Sequence, residues 1–214
     1  WVEDSYLDRV ALAAGHVLAR GGEAERARAL ADALAPRLGP ESEQWSALMD
    51  DVARGRSEEQ AAVALQRAEL DFTTNNLGEL GPELAGIFAV APQSPAAHLM
   101  AGRAAMRVDS LALARTHLQE TTRYGDPAQR CEAYVNLGIV AMREGRSELG
   151  RQAFEAARRA QPGEPIAYIN LARWYAQSSY DDSASAVLEL GLREAFPTRP
   201  IKDALAAHSQ NRGF

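Results

Sequence analysis

Cysteine occurs once in the 214 residues, at Cys131, and lysine once, at Lys202. A lone cysteine excludes an internal disulfide framework and argues against a zinc site, which draws on several thiols or on thiols set among histidines. Aromatic residues are few, at 7%, and β-branched residues do not gather in runs, so an apolar content dominated by Ala and Leu favours helix over strand throughout. No stretch approaches the roughly 20 apolar residues of a bilayer-spanning helix, so no transmembrane segment is expected. Any targeting signal or lipid anchor is expected outside the sequence, which begins at Trp1, and bacterial cytoplasm and periplasm both stay open as compartments. A basic tail and a polyacidic tail are both missing. The net charge of −6 is dispersed along the chain, which speaks against nucleic-acid binding through overall positive charge.

The motifs of catalysis are absent as well. There is no Walker-type phosphate loop, no HExxH helix, no nucleophile elbow and no CxxC pair. "GELGPELAG" carries glycines without a preceding strand and fails as a dinucleotide fingerprint. The four histidines are scattered. His16 falls on an inward helix face, where it either contacts a ligand or is simply solvated, and His98 occupies a packing position. The acidic turns "EDSYLD" and "YDDS" read as helix starts, since carboxylates favour the positive end of the helix dipole, and neither offers enough oxygens for calcium. The chain is expected to be non-catalytic and to need no cofactor or metal.

What the sequence does contain is repetition. "AYVNLG" at 133–138 returns as "AYINLA" at 167–172. Extended, the two copies run Cys131–Gly163 and Pro165–Pro197, each with two stretches of apolar and small residues at helical spacing, parted by "EGRS" or "QSSYDD". Each reads as a helix–turn–helix hairpin. Tyr134 and Tyr168 are wedges early in the first helix, and Leu137 and Leu171 face the neighbouring helix. Gly138 and Ala172 let the second helix approach closely, Ala157 and Gly191 do the same for the next hairpin, and Pro162 and Pro197 close each unit by withholding a backbone donor. Pro95–Pro127 fits the same frame through Gly102, Ala114 and Leu118, and Asp8–Pro40 fits through Gly15, Ala27 and the turn "RGGEA".

This pattern resembles the tetratricopeptide repeat family: a large residue at position four, Leu-Gly or Leu-Ala at seven and eight, Phe154 or Leu188 at twenty-four, and the closing Pro. The resemblance implies an all-α protein, a right-handed α-solenoid of helix hairpins in one domain, with repeats at about 8–41, 95–128, 131–164 and 165–198 and a C-terminal capping helix at 199–210. Residues 42–92 are irregular. Two hairpin frames, 43–70 and 58–92, compete there for the helix around Ala61–Leu70. The preferred reading has an extra unpaired helix, "TTNNLG" as a true turn and Pro82 near the start of a short helix; the alternative is one long irregular helix.

In such arrays the first helices line a concave groove through positions two, five, six, nine, twelve and thirteen, and the resemblance places the candidate partner-binding residues there. They are Leu99, Arg103, Met106 and Arg107 in one repeat, Asn136, Ile139, Met142 and Arg143 in the next, and Asn170 and Arg173 in the last. The repeated Asn either hydrogen-bonds a ligand backbone, as in peptide-binding members, or is solvated. The carboxylate clamp of chaperone-binding members is not matched, because Leu99 with Arg103 and Val135 with Ile139 stand at its positions. The leading expectation is an adaptor that holds an extended or helical segment of another protein, carrying acidic and apolar residues, in the groove. The alternative is a structural accessory factor, for example in bacterial envelope, pilus or secretion-complex assembly, that associates through its convex face or through 42–92. The Arg-rich, Lys-poor composition suits a bacterial source. Oligomeric state stays open.

Overall fold

The structure, a computed structural model, describes residues 2–39 and 41–211. Among these there are eleven helices and no strand. Two compact units divide the chain, one ending at Pro92 and the other beginning at Gln93. The first holds α1 (Val2–Arg20), α2 (Ala24–Leu38), α3 (Glu43–Thr73) and α4 (Leu77–Val90). The second holds α5 (Pro95–Arg107), α6 (Leu111–Tyr124), α7 (Pro127–Arg143), α8 (Ser147–Ala160), α9 (Pro165–Gln177), α10 (Asp181–Glu194) and α11 (Arg199–Asn211).

Five of the connections are one turn written five times. Gly22, Asn75, Asp109, Gly145 and Ser179 each take a positive φ, between 58° and 82°. The residue after each sends its backbone N–H five positions back: Glu23 to Leu18, Asn76 to Asp71, Ser110 to Ala105, Arg146 to Ala141 and Tyr180 to Tyr175, at 2.7–2.9 Å. This is the left-handed helix end that satisfies orphaned carbonyls while reversing the chain. Glycine takes the conformation without steric cost at 22 and 145, and Asn, Asp and Ser accept it at the others at some cost. The turns pair α1 with α2, α3 with α4, α5 with α6, α7 with α8 and α9 with α10. Helix starts are equally specified. Pro95, Pro127 and Pro165 sit in the first turn, where no donor is lost. Ser94 accepts from Ala97 N–H, and Asp126 forms a reciprocal capping box with Gln129.

The irregular stretch differs from the preferred sequence expectation. Glu43–Thr73 is a single helix of 31 residues, so no extra helix lies in 42–92. The helix runs on through "ARGRSEE", where the 43–70 hairpin frame would need a turn, because the glycine there is a packing residue. Gly55 is buried in the helix, and a Cβ there would lie 2.6 Å from the carbonyl oxygen of Ala19. The polar residues around it face the α1–α2 turn: Glu59 accepts the N–H of Ala24 at the start of α2 (3.0 Å), and Arg56 pairs with Glu25 (2.8 Å). The front of α3 packs Leu48 and Val52 against Ala19, Ala27, Ala31 and Leu34. Its rear half is the first helix of the hairpin with α4. The turn over 73–76 is as expected from "TTNNLG", and Pro82 lies inside α4.

In the second unit the hairpins close over small residues. Gly102 lies under Leu118, where a Cβ would come within 2.7 Å of the side chain, and Gly138 lies under the ring of Phe154. Gly191 accommodates Tyr168 and Ile201, the latter delivered by α11 as it packs on α9 and α10. Tyr168 is fully buried, its hydroxyl proton held between the Glu194 carboxylate (2.6 Å) and the Pro162 carbonyl (2.8 Å).

Three outcomes follow from this packing. Gly138→Ala gains helix propensity of about 1 kcal/mol but drives a methyl into the Phe154 ring, so it should destabilise by about 1–3 kcal/mol in urea denaturation. Gly86→Ala, with nothing within 4 Å of the added atom, should stabilise by up to about 1 kcal/mol. Burial and the Glu194 hydrogen bond push the Tyr168 phenol from 10.0 up to about 12. The folded chain therefore keeps a proton that the unfolded chain has lost between those values, so this contribution to stability is intact below pH 10 and disappears as pH rises through about 12. Tyr168→Phe should remove that component from a pH series of melting temperatures.

Candidate functional site

The second unit contains a concave cavity of 680 Å³ between α7, α9 and the turn that joins α8 to α9, within the roughly 300–1,000 Å³ of ordinary ligand sites. Val135, Ile139 and Ile166 form its apolar wall. Asn136 and Asn170 lie along it, Glu132 and Glu164 stand on one side, and Arg173 completes the rim. The helical repeat explains the arrangement: Glu132, Val135, Asn136 and Ile139 are three to four apart on α7, as are Ile166, Asn170 and Arg173 on α9, so each set shares one helix face.

The ten sequence-proposed residues do not all meet there. Asn136, Ile139, Asn170 and Arg173 line the cavity. Leu99 is buried in the core with Ala114, Leu118, Ala133 and Val140, and Met106 packs half-buried on the same cluster. Met142 is drawn into the hairpin interior, against Phe154, Leu171 and Trp174 and over Gly150. Arg143 donates to the carbonyl of Met106 (2.9 Å) and to Asp109 (2.7 Å), binding the end of α7 to the turn after α5. Arg103 faces Glu132 at 3.5 Å, and Arg107 is exposed at the end of α5. The basic groove read from the sequence is thus largely neutralised by partners on neighbouring helices. Arg173 is different: it is exposed and has no hydrogen-bond or ion-pair partner among the described residues.

The two asparagines also differ. Asn170 is 6% exposed and donates its amide N–H to the Ile166 carbonyl of its own helix (2.9 Å). Asn136 is half-buried with no hydrogen-bond partner among the described residues, so its amide faces the cavity unspent. The repeated Asn therefore performs one local task and leaves one open. Gln161 and Glu164, which come from the α8–α9 turn, were not among the sequence candidates, because a scheme of helix-face positions does not reach turn residues. The signal available was Glu164 itself, which precedes Pro165 and caps α9 through Ile166 N–H.

His16 meets neither of its expectations. Its Nδ1 lies 2.8 Å from Asp51, a buried carboxylate that also receives Arg20 (2.9 Å) and Arg54 (3.0 Å). The His16 hydrogen bond, with Arg20 and Arg54, holds the Asp51 carboxyl below the usual range against the opposing effect of burial. The group fastens α1 to α3. His98 lies against His117, with the two Nδ1 atoms 2.9 Å apart. No group of three or more metal-ligating side chains occurs among the described residues, and no described helix is long and apolar enough to cross a membrane.

Two overlapping stretches, residues 99–165 and 135–200, match the family model of the tetratricopeptide repeat. With the fold, this makes the second unit an array of tetratricopeptide repeats. Solved structures of similar fold include a thermophilic TPR protein from Thermus thermophilus, at TM-score 0.59 and 14% identity over 95% of this chain and 99% of that one. They also include PilF of Pseudomonas aeruginosa, at 0.55 and 15% over 97% and 90%, and YrrB, a TPR protein described as having an unusual peptide-binding site, at 0.53 and 18% over 93% and 90%. No curated protein sequence matches the chain. The family's role is that of a protein–protein interaction scaffold, generally without catalysis, and the fold implies that role here.

Cys131 lines the cavity, but burial first, then Glu164 and Glu132, push its thiol up to about 11. Since the thiolate is the reactive form, iodoacetamide at pH 8 should label Cys131 at least about tenfold more slowly in the native chain than in urea. The native rate should climb only as pH approaches 11.

Proposed function

We propose that the chain is a non-catalytic adaptor that holds a segment of a partner protein in the cavity between α7 and α9. The observation that carries this reading is the pairing of two unspent polar groups, the Asn136 amide and the Arg173 guanidinium, on one apolar wall. An amide beside a backbone-sized cleft can take both an N–H and a C=O of an extended segment. An unpaired arginine selects a carboxylate, which it can grip through two parallel hydrogen bonds. Val135, Ile139 and Ile166 supply apolar contact, and Ile166, though on the wall, is 42% exposed. The partner segment therefore carries a carboxylate next to apolar residues, and no nucleic acid is involved.

A second reading, an assembly factor that associates through residues 42–92, has one observation in its favour: Val63 and Leu70 stand exposed seven residues apart on one face of α3. The two readings separate in a single experiment. Partners captured by the wild-type chain are measured against Arg173→Glu, Ile139→Asp and Val63→Asp/Leu70→Asp. The adaptor reading expects the first two variants to weaken binding by about 10- to 100-fold, the scale of a charge-assisted hydrogen bond, and the α3 variant to bind as wild type. Loss confined to the α3 variant would move the interface to α3.

A further inference from the structure

The open end of the α5–α6 hairpin, opposite the Asp109 turn, is held by two polar links. The Thr121 hydroxyl reaches the Pro95 carbonyl (3.4 Å). His98 meets His117 with their Nδ1 atoms 2.9 Å apart and their rings tilted by 39°. Both imidazoles are half-buried. Two Nδ1 atoms at that distance share one proton, because a hydrogen bond needs an N–H on one ring and a lone pair on the other. The remaining histidines face oxygen acceptors instead, His16 at the Asp51 carboxylate and His208 at the Asp181 carbonyl. His98 also stands at the repeat position that Tyr134 and Tyr168 fill in the next two hairpins, so this one hairpin carries a titratable imidazole as its wedge.

We propose that His98 and His117 form a one-proton latch, closing the open end of the α5–α6 hairpin near neutral pH and releasing it when both rings are protonated. The latch is independent of the adaptor reading. With both rings neutral, one donates through its Nδ1–H and the other accepts at Nδ1. A first added proton goes to Nε2 of the donor ring, and the link persists with a charged donor. A second must go to Nδ1 of the acceptor ring. Two N–H groups then face each other, the hydrogen bond is gone, and two like charges lie half-buried side by side. On α6, Glu120 lies one turn from His117 and favours its charge, but it is shared with Arg123 (2.7 Å). From α7, which packs on both helices, Glu132, Arg143 and Glu144 reach the hairpin and are engaged by Arg103, Asp109 and Arg115. Burial first, then the charge of His98, hold His117 below the usual histidine range against the pull of Glu120. The folded chain therefore takes up this proton at a lower pH than the unfolded chain does. The latch contributes fully above the ordinary histidine range, and its contribution is lost as pH falls through the lowered value. The α9–α10 hairpin, closed by the Tyr168 hydroxyl on Glu194, keeps its phenol proton throughout that range.

The test is an NMR titration of the whole nitrogen-15-labelled chain from about pH 8 to about pH 4.5. Long-range proton–nitrogen spectra read the tautomer and charge of each imidazole, with His16 and His208 as internal references. Amide hydrogen exchange, corrected for its intrinsic pH dependence, reads opening of the hairpin. One ring of the pair should be the Nδ1–H tautomer at neutral pH, and the two should titrate in separate steps. At the second step, exchange over residues 94–99 and 117–124 should accelerate by about tenfold for each pKa unit that the step lies below the ordinary histidine value. Exchange over 165–194 should not respond. His117→Gln, whose amide can still hydrogen-bond His98 but carries no charge, should abolish the acceleration, as should His98→Gln. If either variant fails to fold, the wild-type titration decides alone. Independent titration of the two rings at ordinary values, an Nε2–H tautomer on both at neutral pH, or an acid response that persists in both glutamine variants overturns the latch.

Discussion

The second unit depends on how closely two helices of a hairpin can approach. Where Gly102 meets Leu118, where Gly138 meets Phe154 and where Gly191 meets Tyr168 and Ile201, the absent side chain is replaced by the partner's packed one. Protein interiors tolerate little excess volume, so these positions set the interhelical distance. That distance sets what the opposite faces can do. With the packing side of α7 and α9 consumed by Phe154, Leu171, Trp174 and Tyr168, their other side is left to line the cavity. Val135, Asn136, Ile139, Ile166 and Arg173 occupy it because helical periodicity puts them there once the small residues have fixed which face is buried.

Polar contacts then decide what that face offers. Arginines are abundant, yet most are spent on architecture. Arg143 ties α7 to the turn after α5, Arg115 pairs with Glu144, and Arg20 and Arg54 converge with His16 on Asp51. Arg151 pairs with Glu148 and Glu155 and stands over the Trp174 ring. Against that background an arginine without a partner among the described residues on a concave wall is a chemical feature, and the proposed function assigns to Arg173 the choice of a carboxylate-bearing partner.

The hairpins at 131–163 and 165–197 were legible because their signals are local: a phrase repeated at 34 residues, small residues at fixed offsets, a proline closing each unit. The stretch 42–92 was not. Gly55 and Gly145 look alike in the sequence, but one is a helical residue facing the Ala19 carbonyl and the other a left-handed turn. Only the approach of α1 distinguishes them. The same limit applies to the groove. Positional reasoning put Asn136, Ile139, Asn170 and Arg173 on one side of their helices. It could not see that Asn170 donates to Ile166, that Glu132 faces Arg103, or that Leu99 and Met142 turn into the core, since each depends on a residue brought close by folding.

The most direct measurement of the central claim is amide hydrogen exchange on the chain with and without a bound partner. The account predicts added protection over residues 128–139 and 161–176, the faces and turn that line the cavity, with α3 unchanged. Protection confined to α3 and α4, with α7 and α9 exchanging as in the free chain, would contradict it.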